Sequence, residues 1–179
     1  GTGDGRIVLS RVGEIESLRF DHRSIDSIEI PANGEVPLEG VHGKAMELGV
    51  VIERGDAREV GLCVLRSPDG VEQTRISLLW HDQRSLGSSS LQIDISGASL
   101  RSDVFARPAE IGPFDLADGE PLRLRVFIDR SIVEVFANDR QCLTIRPYPD
   151  RTDSTGVSVF ARGGEAKLVS LDAWQMRSI

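Results

Sequence analysis

From about residue 24 onward, apolar and polar positions alternate with a period of two, the signature of half-buried strands. This pattern predicts strands over 24–30, 45–53, 60–66, 74–80, 90–95, 121–129, 131–137, 141–146, 156–161 and 166–176. Asn33-Gly34, Pro68-Asp69-Gly70 and Gly163-Gly164 supply the turn chemistry between them. Only Gly13 to Phe20 suggests a helix, short and weakly amphipathic. Short strands without helical crossovers imply an all-β chain, closed as a two-sheet antiparallel β-sandwich behind a short N-terminal linker helix. The expected division is a linker segment over 1–23 and a sandwich over 24–179, with no repeat or second domain.

The stretch Leu122 to Arg146 specifies its own register. A two-residue turn at Arg130-Ser131 sets Ile128 against Val133, Val126 against Val135 and Leu124 against Ala137, making one apolar face. The three-residue loop Asn138-Asp139-Arg140 then returns Leu143 and Ile145 to the same face, whereas an even loop misplaces them. On the other face Arg125, Phe127 and Asp129 oppose Phe136, Glu134 and Ile132, which leaves Arg125 and Glu134 diagonal neighbours able to pair. Phe127, Ile132 and Phe136 make that outer face a candidate docking surface, unless a neighbouring loop covers it.

Composition narrows the function. Twenty-eight Asp and Glu against 21 Lys and Arg give a net charge of −7, which argues against a nucleic-acid partner. The longest apolar-leaning run, Ala45 to Ile52, is broken by Glu47 and is far short of a membrane span. The Gly-rich start, without methionine, is expected to be the cut end of something longer. Cys63 and Cys142 sit in apolar strand-like runs, as small buried hydrophobes or as one disulfide.

Candidate chemistry is sparse. His22, His42 and His81 are far apart, with no metal-ligand spacing and no cofactor motif. Asp150 to Gly156 lacks the ligand alternation of a calcium loop, and Gly40 to Lys44 lacks the first glycine and the hydroxyl of a phosphate loop. No Gly-x-Ser-x-Gly elbow occurs. Asp129 and Glu134 are a carboxylate pair by proximity, although arginines nearby offer each an ordinary ion pair. Trp80, His81 and Tyr148 are candidate sugar contacts if they share one surface, and Trp174, in the last strand, is expected in the core.

Leu122 to Ala137, reading Leu-Arg-Leu-Arg-Val-Phe-Ile-Asp-Arg-Ser-Ile-Val-Glu-Val-Phe-Ala, resembles the signature hairpin of the C-terminal β-sandwich of glycoside hydrolase family 32, the invertases, levanases, inulinases and fructan exohydrolases. Cys142 to Pro149, Gly156 to Ala166 and Leu171 to Met176 are similar to the strands that follow, and Glu14 to Arg19 to the linker ahead of the sandwich. The resemblance departs at Arg140, where many relatives have glycine, and at Ile95, where arginine is frequent. It implies a concanavalin/jelly-roll-like sandwich that packs on an N-terminal five-bladed propeller, where an Asp nucleophile, a Glu acid/base and a stabilising Asp hydrolyse β-fructofuranosyl bonds. None of those three motifs occurs here, so no catalytic residue carries over. The implied function is a non-catalytic domain of a β-fructofuranosidase serving stability and domain or homodimer contacts. The alternative is a module that binds fructan or sucrose.

Overall fold

A computed structural model describes residues 13–81, 89–105 and 107–177. A single helical turn, α1 (Gly13–Glu16), precedes β1 (Arg19–Ile25), β2 (Ile28–Ile30), β3 (Glu35–His42), β4 (Ala45–Glu53), β5 (Glu59–Arg66), β6 (Thr74–Leu79) and β7 (Ser90–Asp94). Then come β8 (Glu110–Pro113), β9 (Leu122–Asp129), β10 (Ile132–Ala137), β11 (Gln141–Ile145), β12 (Gly156–Arg162) and β13 (Ala166–Met176). They form two sheets: β1-β13-β4-β9-β10-β11, with β2 also on β13, and β3-β12-β5-β6-β7-β8. All pairings among the described strands are antiparallel. The all-β, two-sheet sandwich expected from the alternation is the observed architecture.

Alternation explains the core. Leu48, Val50, Val126, Val133 and Leu171 point inward from the first sheet and meet Leu62, Val64, Ile76, Leu91 and Val159 from the second, all fully buried. The β9–β10–β11 meander has the expected register, with Ile128 opposite Val133, Val126 opposite Val135 and Leu143 opposite Val135. In its three-residue loop Asn138 and Asp139 both take positive φ, 46° and 54°. These two residue types tolerate the left-handed region, so Arg140 needs no glycine-like freedom. Asn138 fixes the loop by accepting from the Arg123 amide and donating to Glu120 and the Pro121 carbonyl.

The N-terminal segment differs from expectation. The helix stops after one turn, and Arg19 and Phe20 are already strand residues, paired with Met176 and Gln175. So short a segment cannot repay helix nucleation, whereas β13 offers ready backbone partners. The single strand expected over 24–30 is divided between β1 and β2, both of them on β13.

Two ends of the sandwich follow from the strand directions. At one, hereafter the linker end, lie α1, the β3–β4 turn at Gly43-Lys44, the Arg130-Ser131 turn, and the β5–β6, β7–β8 and β11–β12 loops. The β5 start, Trp80 and the Asn138 loop lie at the other.

Candidate functional surfaces

On the outer face of the first sheet, Trp174 of β13, Glu47 of β4, Phe127 of β9 and Glu134 of β10 lie side by side in register. Glu47 is 1% exposed, a buried carboxylate on the outer face of the sheet. Arg19 grips it in bidentate fashion, Nε to Oε2 at 2.8 Å and Nη2 to Oε1 at 2.7 Å. Arg125 adds Nε to Oε1 at 2.6 Å. Burial pushes the Glu47 carboxyl up, but the two guanidinium hydrogen bonds outweigh it and hold the group below the ordinary range. Arg125 therefore pairs with Glu47 and not with its diagonal neighbour Glu134. The reason lies outside the hairpin: Arg125 is directly opposite Gly49, which leaves room for its side chain to cross to β4.

Trp174 is also on this outer face rather than in the core. The Arg19 guanidinium lies 4.3 Å from its ring centre, and the His22 ring stacks on it at 4.9 Å. His22 in turn bonds Asp172 at 2.7 Å. Phe127 and Phe136 are half-buried and meet edge to face at 6.1 Å, with Arg125 over Phe127 at 4.8 Å. Of the three candidate docking residues only Ile132, at the linker end, is exposed. A groove of about 290 Å³ runs between Trp174, Arg125 and Asn138.

The candidate sugar contacts do not converge. Trp80 and His81 follow β6 at the end away from the linker, where Arg54 covers the Trp80 ring at 4.2 Å. Tyr148 belongs to the β11–β12 loop at the linker end. Asp129 and Glu134 share a face, but neither lines the groove or the larger cavity described next. Glu134 accepts from Thr144 at 3.4 Å. Cys63 and Cys142 are free thiols on different sheets, and burial pushes Cys63 up to about 11. No group of three or more metal-ligating side chains is found among the described residues.

A cavity of about 780 Å³ opens at the linker end. Lys44, Arg101, Arg107, Arg130 and Arg146 line it together with Phe105 and Tyr148. Its walls are fastened by Glu72, which is 0% exposed and had no signal in the sequence beyond its place after a turn. The Glu72 carboxylate accepts from the amides of Leu100, Asp150 and Arg151 and from the Ser154 hydroxyl. One carboxylate thus joins the β5–β6, β7–β8 and β11–β12 loops. Burial again pushes its pKa up, and these hydrogen bonds bring it below the ordinary value.

The class defined by this architecture is an all-β, two-sheet sandwich domain with a cavity lined by basic side chains at one end. Residues 14–175 match the family model described as glycosyl hydrolases family 32 C terminal. The chain belongs to that family. It is 28% identical to a levanase of Bacillus subtilis (strain 168), over 97% of this chain and 25% of the relative. It is 32% identical to beta-fructofuranosidase 1 of Zea mays, over 93% of this chain and 30% of the relative. Fructan 1-exohydrolase IIa from Cichorium intybus superposes with a TM-score of 0.82 at 22% identity, covering 94% of this chain and 38% of that one. The chain therefore spans between a quarter and two fifths of these relatives' length.

Proposed function

We propose that this chain is the accessory, non-catalytic sandwich of a β-fructofuranosidase-type glycoside hydrolase. Hydrolysis of sucrose or fructans then belongs to a catalytic propeller ahead of it in the same polypeptide, and residues up to the start of the sheet serve as the connection. The observation that carries this reading is the family match over nearly the whole chain, combined with a coverage of only 25–38% of the enzymes it resembles. The outer-face chemistry supports it: Glu47 is committed to two arginines and Asp172 to His22.

Sugar binding by the isolated domain gains no comparable support. Trp80 and Tyr148 lie at opposite ends, and arginine side chains lie over the rings of both tryptophans. Assaying residues 1–179 against sucrose and levan tests the proposal. No fructose release is expected from the domain, and release from the longer polypeptide is. Turnover by the isolated domain that disappears on Asp129→Asn overturns it, and heat on titration with inulin restores the sugar-binding alternative.

A further inference from the structure

Five cationic side chains converge on one concavity. Lys44 comes from the β3–β4 turn, Arg130 from the β9–β10 turn, Arg101 and Arg107 from the β7–β8 connection and Arg146 from the β11–β12 loop, and all five line the cavity of about 780 Å³. Arg101 has an acceptor in Asp103, gripped at 2.8 and 2.6 Å. The side chains of Lys44, Arg107, Arg130 and Arg146 make no hydrogen bond or ion pair with any described residue, and Arg146 lies 5.8 Å from the Tyr148 ring centre. Arginines without an ion pair also occur elsewhere, Arg58 and Arg123 among them. What distinguishes these four cations is that they share one volume, in which Asp103 is the only carboxylate among the described lining residues and is already engaged.

A concavity lined by charges of one sign focuses the field and concentrates counter-ions inside it. The frame that holds these charges together is built without a ligand. The Arg130 amide donates to the Lys44 carbonyl at 2.6 Å and joins the two turns, while Glu72 joins the two loops through the amides of Leu100, Asp150 and Arg151. A site formed in advance loses little ordering entropy on binding. The lining also specifies the ligand. Guanidinium N–H pairs match the oxygens of a phosphate, and lysine adds a point charge. Phe105, 80% exposed, and Tyr148, 47% exposed, add two rings to the same lining, a flat apolar surface that a bare phosphate does not use. The volume matches sites for small organic molecules, about 300–1,000 Å³.

We propose that this cavity binds a phosphate monoester of a ring-bearing small molecule, with the dianionic phosphoryl group among Lys44, Arg130 and Arg146 and the ring against Phe105 and Tyr148. Every residue in the site belongs to this chain, so the assignment does not depend on the reading that a catalytic domain precedes it. Binding is a function of the folded domain and involves no bond making or breaking.

Isothermal titration of residues 1–179 at constant ionic strength tests it, with phenyl phosphate, inorganic phosphate and phenol as probes. Phenyl phosphate is expected to occupy a single site at least about tenfold more tightly than inorganic phosphate, and phenol to give no heat. The paired substitution Lys44→Gln and Arg146→Gln is expected to weaken phenyl phosphate at least about tenfold while leaving the urea midpoint as in the parent. Arg58→Gln with Arg123→Gln, which removes two unpaired arginines outside the cavity, is expected to change it less than about twofold. Phe105→Ala with Tyr148→Ala is expected to erase the advantage of phenyl phosphate over inorganic phosphate. Equal weakening by the two arginine-containing pairs overturns the site in favour of diffuse charge attraction, and equal affinity for the two phosphates in the parent overturns the ring-bearing ligand. The same titration on the longer polypeptide is expected to find the site intact. Its loss there overturns the assignment, because the cations then serve another part of that polypeptide.

Discussion

Arg125 donates to Glu47 at 2.6 Å across two neighbouring strands, and Arg19 completes the pair into a buried arginine–carboxylate–arginine triad. Removing the carboxylate leaves two largely desolvated guanidiniums facing one another. Glu47→Ala is expected to destabilise the fold by about 3–5 kcal/mol, measured from urea denaturation midpoints at constant slope. A loss below about 1 kcal/mol shows that water satisfies the arginines and that the triad contributes little.

Glu72→Gln tests the fastening of the linker end. The amide keeps one acceptor oxygen but presents an NH2 group to backbone amides that are themselves donors. A cost of about 2–3 kcal/mol is expected, with faster exchange at 98–101 and 150–154 and no change in β9 to β11. Uniform loss of protection across both sheets contradicts a local role.

Acid should unfold the domain through a small group of carboxylates. Glu35, Glu47 and Glu72 are all held below the ordinary glutamate value of 4.5: burial pushes each up, and hydrogen bonds from Ser158 and Arg66, from Arg19 and Arg125, and from Ser154 and backbone amides pull each further down. A depressed pKa stabilises the folded state above the unfolded value, and that contribution is lost as pH falls through the lower folded value. The denaturation midpoint is therefore expected to be flat near neutrality and to drop below about pH 4.5. The Glu72→Gln variant should show a shallower drop than the parent, and an identical one rules Glu72 out as a contributor.

Thiol labelling distinguishes the two cysteines. With Cys63 raised to about 11 and buried in β5, iodoacetamide at pH 8 is expected to modify Cys142 and leave Cys63 intact until denaturant is added. Equal labelling rates in the folded protein contradict the packing around β5.

The meander was readable because its information is local: a strict period of two, a two-residue turn and an odd-length loop admit one register for Leu124 to Ile145. Partners brought by distant strands were not readable. Arg125 and Glu47 are 78 residues apart, and nothing near Arg125 announces β4 on its other side. The break that Glu47 makes in an apolar run was the visible trace of a buried charge, but a trace without a partner. β3 carries no clear signal because Pro37 and Gly40 interrupt its alternation, and β8 none because four residues hold too little pattern. Trp174 was expected in the core from its place in a terminal strand, yet the parity of β13 turns it outward beside Glu47.

The pairing of Arg19 with both Met176 and Glu47 fastens the first strand at its backbone and at its side chain. Through the Arg19 guanidinium the β1–β13 ladder is bonded to Glu47 of β4 and, through Glu47, to Arg125 of β9. A polypeptide cut at residue 24 therefore loses the Arg19 grip on Glu47, and with it one side of the triad, while keeping every buried core side chain from Ile30 onward.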